Sequence, residues 1–496
     1  DLYFKIGKVG LGIEICEEAW GPNSPVDIVA GACEVVLNLS ASHFAMGKSE
    51  IRKQLVADAS RSLCVFYVYS NLVGLDSGRA IYDGATHVGF NGKILDSGQR
   101  FSFKDVTVNT CPADLNLVRV NKIRQHSTSK SLGVKQTSKV VEAEPFSMGD
   151  TELTAHTESK QKGLSIEMEL HEALTLALYD YLRKSGSKGY TVSLSGGCDS
   201  SATAYLVASM VHRGVANLGV SDFCSGLGLK LANKPTSADL VKALLTCIYQ
   251  SSDNSGDVTE TAAFRLSEEL KADFHKISIS SVVDLFVGQA ERCIGRSLKW
   301  EGDDLALQNI QARSRAAFPW MMANLKDQIL LTTSNRSESA VGYVTMDGDS
   351  AGGLAPIAGI DKNFLRKWLK WAEKENESGV GRVKALSYVN VQQPTAELRP
   401  KHLKQTDERD LMPYEILNQI EKYMIRDKMA MAEVSEFLAR DYPDIDREAI
   451  DGYVSRFRVM WRKSQWKRER IAMSFHLDDY SLDPKSSCRF PVLSGS

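Results

Sequence analysis

The sequence predicts an α/β protein in two parts: a partial α/β layer, then a doubly wound parallel sheet with a helical C-terminal region. Three observations carry that expectation. Short β-branched runs alternate with amphipathic stretches of helical length, the pattern of strands joined by crossover helices. A polar interval, residues 126–164, is rich in Ser, Thr, Lys and Glu and has little periodicity. The 496 residues are also more than one hydrophobic core ordinarily serves.

In chain order, apolar runs at 9–15, 35–39, 65–69 and 86–90 read as strands, separated by Gly, Pro and Asn turn signals and one helical stretch at 49–63. They make up the first part, residues 1–125. The chain opens on Asp1 and enters a strand-like run almost at once, so an N-terminal portion is expected to precede it. Residues 126–164 read as a linker or long exposed loop. The second part, residues 165–496, starts with an amphipathic helix opened by Ser165-Ile166-Glu167-Met168-Glu169, running to about Lys184 and stopped by Ser185-Gly186. Strands are expected at 190–194, 243–249, 274–279 and 328–333, with helical runs at 201–212, 259–271 and 304–326. Residues 413–467 read as mostly helical, with Trp, Arg and Lys gathered near their end.

Composition excludes several classes. Hydrophobic residues at 43% and charged residues at 25% are ordinary for a globular chain, and a net charge of −2 argues against a surface that coats nucleic acid. No nucleic-acid partner is expected, and phosphate binding must be local. The nine cysteines, Cys16, Cys33, Cys64, Cys111, Cys198, Cys224, Cys247, Cys293 and Cys488, include no C-x-x-C pair and are odd in number. Neither a disulfide framework nor a structural zinc site follows. No apolar run of about 18 residues spans a membrane and no secretory leader opens the chain, so a reducing, cytoplasmic setting is expected.

Ser195-Gly196-Gly197-Cys198-Asp199-Ser200-Ser201 follows the first strand of the second part and opens its helix. An open α/β sheet binds nucleotide phosphates at that position, where a strand's carboxyl end meets a helix N-terminus. The glycines let backbone approach a phosphate, the serines and free N–H groups donate, and Asp199 suits the Mg²⁺ that accompanies a triphosphate. No Lys follows as in the loop of γ-phosphate-transferring enzymes, so that class is disfavoured. Cys198 reads as a small buried side chain rather than a nucleophile. The S-G-G-x-D-S order resembles the loop of the adenylating, pyrophosphate-releasing ATPases.

Further motifs narrow the class. Asn309 and Arg313, four apart in a helical run, share one face. Thr332-Thr333-Ser334-Asn335-Arg336-Ser337-Glu338, Gly342-Tyr343-Val344-Thr345, Gly348-Asp349 and Gly359-Ile360-Asp361-Lys362 follow. After them come Pro394-Thr395-Ala396-Glu397-Leu398-Arg399-Pro400, Gln405-Thr406-Asp407-Glu408, Leu411-Met412-Pro413-Tyr414, Lys467-Arg468 and Arg489-Phe490-Pro491. In this order they resemble the NAD synthetases, from about Ser165 to Pro491. The resemblance implies ATP binding by Ser195, Gly196, Gly197, Asp199, Ser200, Ser201, Thr333 and Lys362, and Mg²⁺ binding by Asp199 and Glu338. It also implies contact of Asn309, Arg313, Glu338, Asp349 and Lys467 with deamido-NAD, the nicotinate dinucleotide substrate. Met346-Asp347 stands where the family usually has an aromatic or basic residue before Gly-Asp, a departure that bears on the contacts of that loop.

In the first part, Gly12-Ile13-Glu14-Ile15-Cys16-Glu17-Glu18-Ala19-Trp20 places a cysteine just after a β-branched strand. Gly31-Ala32, Asn38-Leu39-Ser40-Ala41-Ser42, Gly47-Lys48, Arg52, Asn71, Gly74, Asp76 and Tyr82-Asp83-Gly84 follow it. Together they resemble the nitrilase-type amidohydrolases, specifically the glutaminase domain fused to NAD synthetases. The resemblance implies part of a nitrilase-like α/β sandwich, Cys16 as the thioester-forming nucleophile, and Ser42 and Lys48 near the glutamine site. In that family a Glu and a Lys upstream of the cysteine activate it, so the sequence as given is expected to lack a complete triad.

The expected activity is therefore ATP-dependent amidation of deamido-NAD to NAD through an adenylate, with glutamine-derived or free ammonia as nitrogen donor. An ammonia-only synthetase with an inert glutaminase remnant and a non-catalytic scaffold are the alternatives. The resemblance also implies a homo-oligomer.

Overall fold

The computed structural model describes residues 2–21, 24–124, 139–143, 163–230, 235–374, 382–395, 397–400 and 406–493. These fall into two compact units, residues 1–76 with 80–176, and residues 77–79 with 177–496.

The first unit is built on β1 (Leu2–Ile6), β2 (Val9–Ile15), β3 (Val35–Ser40), β4 (Phe66–Asn71), β5 (Val73–Asp76), β6 (Ala80–Asp83), β7 (Thr86–Phe90), β8 (Lys93–Ser97) and β9 (Lys139–Ala143). Seven of them form one mixed sheet in the order β8-β7-β4-β3-β2-β1-β9, while β5 and β6 pair as a separate hairpin. Its centre, β2-β3-β4, is parallel, with Ile13 opposite Leu37 and Leu37 opposite Val68. The helix Lys48–Ser62 packs Val56 against Val36, Val65 and Tyr67 of this sheet. Four expected strands and the helix are present within two residues of their predicted ends. The interval 126–164 lies mostly outside the described residues. Its described part is β9, which pairs in parallel with β1, Phe4 opposite Val141.

Below the sheet edge the first unit buries a charged seam. The Arg52 guanidinium donates to Asp83 at 2.8 Å and to the Ser42 carbonyl at 2.7 Å, and Arg100 bridges Asp83 at 3.0 Å and Glu169 at 2.6 Å. Burial works against the Asp83 charge, but Arg52 and Arg100 outweigh it and hold the carboxyl below its usual range.

The second unit begins its sheet at β10 (Tyr190–Ser193) and adds β11 (Leu245–Ser251), β12 (Asp273–Ser278), β13 (Ile329–Leu331), β14 (Leu354–Ala355) and β15 (Met473–Ser474). All are parallel, in the order β12-β11-β10-β13-β14-β15. The chain steps one way from β10 to β12, then returns and continues on the other side. Right-handed crossovers thereby place helices on both faces. β11 shows why alternation is absent from its sequence: Leu245 to Gln250 are all buried, as in a strand covered on two sides. The expected second-part strands and helices are present, and the C-terminal helices Tyr414–Glu421, Met431–Asp441 and Arg447–Lys463 enclose a separate core around Leu417, Leu438, Val454 and Phe457.

Arg52→Met would leave the buried Asp83 with one cation, Arg100, besides the neutral donors Asn71 Nδ2 and the Ala85 amide. It should cost roughly 3–5 kcal/mol, the usual penalty for stranding one member of a buried ion pair, read as a loss in the denaturant midpoint of the full chain.

Candidate active site

Reversal of strand order occurs between β10 and β13, and a cavity of about 240 Å³ opens beyond their carboxyl ends. Ser195, Gly197, Cys198, Asp199, Thr333, Glu338, Asp349 and Lys362 line it, so eight residues from scattered motifs meet at one place.

The loop is held by its own atoms. Ser200 Oγ accepts from the Ser195 amide at 3.1 Å and lies 3.0 Å from Ser195 Oγ, which in turn accepts from the Gly197 amide at 3.3 Å. Ser200 is buried and braces the turn. Gly196 has φ +82°, and a Cβ there would lie 2.0 Å from the Thr259 carbonyl oxygen. Only glycine fits, because both the backbone conformation and the approach to the helix Asp257–Leu270 forbid a side chain. Ser201 faces the interior, fully buried, and is not part of the cavity wall.

Three segments bring the charges together. Asn335 caps the helix Arg336–Val341 by accepting from the Glu338 amide at 3.0 Å, and its Nδ2 donates to Asp199 at 3.0 Å. Ser337 Oγ accepts from the amide of Lys362, the first residue of the helix Lys362–Lys374. Lys362 Nζ then donates to Asp199 Oδ2 and, at 2.9 Å, to Glu338 Oε1. Asp407 and the Tyr414 hydroxyl complete the group, the hydroxyl 3.2 Å from Asp407 and 3.4 Å from Glu338. Burial alone would discharge Lys362; Asp199 and Glu338 reverse that and hold its pKa well above the usual lysine range. One ammonium does not neutralise three carboxylates. Burial, with Asp199 and Asp407 adding to it, pushes Glu338 up to about 8 despite Lys362.

The expected substrate residues gather elsewhere on the same unit. Asn309 Oδ1 accepts from Thr345 Oγ1 at 3.0 Å, Arg313 Nε donates to the Met346 carbonyl at 3.2 Å, and Lys467 Nζ donates to the carbonyls of Gly342 and Val344 at 2.7 and 2.8 Å. All three grip residues 342–346 and none lines the cavity, whereas Asp349 does. Asp349 Oδ1 accepts from the Thr345 amide at 2.6 Å, and burial pushes its carboxyl up to about 6. Gly342, φ +68°, ends the helix Arg336–Val341 where a Cβ would strike Ser464 Oγ at 2.1 Å, so this loop and the segment carrying Lys467 pack closely.

Sequence reasoning gave no role to Arg315, Arg366, Lys370, Thr395 and Asp407, all on the cavity wall. Two of these had a signal. Arg366 and Lys370 follow Lys362 at i+4 and i+8, a basic stripe on one helical face. Ala396 and Gln405, quoted among the motifs, lie outside the described residues.

In the first unit, Cys16 begins the turn Cys16–Trp20 at the end of β2 with φ +48°, a strained conformation for a non-glycine residue. Lys48 and Tyr82 sit within electrostatic reach of its thiol. Lys48 Nζ donates to the His43 carbonyl at 3.1 Å, and burial lowers its pKa. Ser42 Oγ is turned inward, accepting from Arg52 at 3.2 Å. Among the described residues no group of three or more His, Cys, Asp or Glu is placed to hold a metal, and no helix is long and apolar enough to cross a membrane.

A doubly wound sheet with a glycine–serine loop and a lysine–carboxylate cluster at its switch point defines a nucleotide-binding α/β protein of the adenylating type. The NAD synthase family model matches residues 170–470, and the chain belongs to that family. It is 37% identical to the crystal structure of a glutamine-dependent NAD(+) synthetase from Cytophaga hutchinsonii, covering 100% of this chain and 73% of that one, with a TM-score of 0.79. A glutamine-dependent NAD(+) synthetase from Acinetobacter baumannii, 20% identical over 99% of this chain and 74% of that one with a TM-score of 0.55, shares the fold. Glutamine-dependent NAD(+) synthetases of Drosophila melanogaster and Bos taurus are 29% and 31% identical over 97% and 81% of this chain. The matches span 64% and 60% of those relatives' lengths.

The raised Glu338 pKa fixes a sign. The folded state holds a proton that the unfolded carboxyl releases near 4.5, so this group's contribution is fully present below that pH and is lost as pH rises through about 8. The ligand-free protein should lose thermal stability across this window, and Glu338→Gln should flatten the fall in a series of melts from pH 5 to 8.

Proposed function

We propose that this chain amidates deamido-NAD to NAD at the expense of ATP, through an adenylated intermediate, with ammonia as the attacking nitrogen. Convergence of Asp199, Glu338 and Lys362 beside the Ser195–Ser201 loop is the observation that carries it. A carboxylate is a poor electrophile and needs a better leaving group before ammonia attacks. The substrate carboxylate displaces pyrophosphate from the α-phosphorus of ATP, and ammonia then displaces AMP from the acyl carbon. Both steps release phosphate charge, so donors fixed beforehand are worth most.

Each group has a part in that chemistry. The loop amides and Ser195 bind phosphate oxygens, and Thr333 binds the nucleotide across the switch point. Lys362, with Arg366 and Lys370 along the same helix, meets the charge of the departing pyrophosphate. Asn309, Arg313, Asp349 and Lys467 hold the dinucleotide through the loop at 342–349. Mg²⁺ fits Asp199 and Glu338: the cluster carries more carboxylates than its one lysine neutralises, and Mg²⁺ characteristically takes one or two carboxylates with the rest of its shell from phosphates and water. Bound there, it would supply charge to the phosphates as pyrophosphate leaves.

Glutamine is the second nitrogen source in this proposal, hydrolysed at Cys16, whose half-buried side chain stands on a strained turn within electrostatic reach of Lys48. The nine free cysteines suit a reducing cytoplasm. Self-association fits two neighbouring helices. Ser280–Ile294 exposes Leu285 and Phe286, and Trp300–Leu325 exposes Leu305 and Leu325; such apolar area usually marks an interface.

NAD formation from deamido-NAD, ATP and Mg²⁺ with ammonium should occur, and Lys362→Met should slow it by at least about a hundredfold, the scale of losing one fixed donor to developing charge. Turnover with glutamine that survives Cys16→Ser would sink the assignment of that thiol. Sedimentation should give a dimer or larger, and Leu285→Glu with Phe286→Glu should shift it towards monomer.

A further inference from the structure

One carboxylate oxygen on the cavity wall is left without a partner. Asp407 is 4% exposed, and its amide donates to the Pro394 carbonyl at 3.1 Å, which fixes the backbone that presents it. Its Oδ2 lies 3.2 Å from the Tyr414 hydroxyl. Its Oδ1 is buried and has no hydrogen-bond partner among the described residues. Burying such an atom unpaired is costly, and native structures pair it with a ligand, an ion or water.

The surroundings select among occupants. A second Mg²⁺ needs near-octahedral oxygens, and no group of three or more carboxylates among the described residues is placed to provide them. Asp199 and Glu338 share Lys362 and are the pair assigned above to Mg²⁺, which leaves Asp407 a single carboxylate for any further cation. An ammonium ion asks for less: one strong acceptor and a wall that tolerates positive charge. Tyr414, hydrogen-bonded to Asp407, presents its ring to a cation, with Lys362 Nζ 5.7 Å from the ring centroid. Tyr343, also lining the cavity, donates its hydroxyl to Asp410 at 2.9 Å and so leaves its ring towards the same space without competing for Asp407.

We propose that Asp407 Oδ1 is the docking point for the nitrogen donor, binding it as ammonium within the cavity that holds the adenylate. The assignment rests on the amidation proposed above. Asp407 is a binding residue here, and its carboxylate raises the local concentration of a donor that is almost wholly ammonium at neutral pH.

The test uses the full chain, with saturating ATP, Mg²⁺ and deamido-NAD and a range of ammonium chloride. Asp407→Asn should raise the half-saturating ammonium concentration by about tenfold or more, the equivalent of one charge-assisted hydrogen bond. Exchange of pyrophosphate into ATP without ammonium, which reports adenylation and folding together, should fall by less than amidation measured at sub-saturating ammonium. Rubidium, similar in size to ammonium, should inhibit the wild-type enzyme competitively against ammonium. An unchanged ammonium requirement, a loss of exchange that parallels the loss of amidation, or a raised Mg²⁺ requirement would each overturn the assignment. Should Asp407→Asn fail to fold, rubidium that does not compete with ammonium overturns it independently. Wild-type protein that makes no amide from ammonium while still exchanging pyrophosphate would instead overturn the amidation reading, and this assignment with it.

Discussion

Lys362 is 3% exposed, and its charge is sustained there only because Asp199 and Glu338 meet it. The pairing joins three segments far apart in sequence: the start of the helix after β10, the short helix after β13, and the helix Lys362–Lys374. None of them makes a site alone. Asn335 and Ser337 add the backbone constraints, one capping the helix that bears Glu338, the other receiving the Lys362 amide. The cluster remains net negative, which is a poor ligand-free state and a good one for cations. A buried ion pair of this kind contributes little to stability compared with an apolar replacement. Its persistence on the cavity wall makes sense as preorganisation for a ligand.

Topology decides where that ligand meets the rest of the molecule. Reversal of strand order at β10 and β13 parts the helices and leaves the crevice into which the Ser195–Ser201 loop and Thr333 both project. The loop at 342–349 is held differently: Arg313 and Lys467 reach its carbonyls, and Asn309 accepts from the Thr345 hydroxyl. Asn309, Arg313 and Lys467 thus shape a backbone surface, and the carboxylate of Asp349, braced by the Thr345 amide, is what that surface delivers to the cavity.

Much of this was legible in the sequence because both sheets are punctuated by periodic helices and because the phosphate loop is local. Seven consecutive residues place Ser195, Gly197 and Asp199, and the loop chemistry needs no distant partner to be recognised. The strands β2, β3, β4 and β7 of the first sheet and β10 to β13 of the second were visible by their apolar, β-branched runs. Two kinds of feature were not. Short strands such as β14, two residues long, have no pattern to detect, and β9 sits in a polar stretch that pairs only because β1 presents an edge. Residues that serve through long-range geometry were equally silent. Asp407 was quoted only as part of the motif Gln405-Thr406-Asp407-Glu408, with no role of its own, and folding buries it against Tyr414. Ser201 shows the converse, since its place in the loop motif suggested a ligand contact and the helix turns it inward.

Cys198 and Cys16 show why position does not settle chemistry. Cys198 starts a long helix, where the helix dipole ordinarily favours a thiolate. Burial and the neighbouring Asp199 charge outweigh the dipole and push its thiol up to about 12, so it remains a protonated wall of the nucleotide cavity. Cys16 directly follows β2 with a positive φ that turns it out of the strand's path, and Lys48 lies within electrostatic reach of it. Glu14, two residues earlier, points the other way into the sheet, where it accepts from Asn38 at 3.1 Å and from the hydroxyls of Ser24 and Tyr67. Its negative charge is thereby spent on the interior instead of on the thiol. Strand alternation alone would put residues 14 and 16 on one face, so it is the end of β2 at Ile15 and the positive φ of Cys16 that part the two groups.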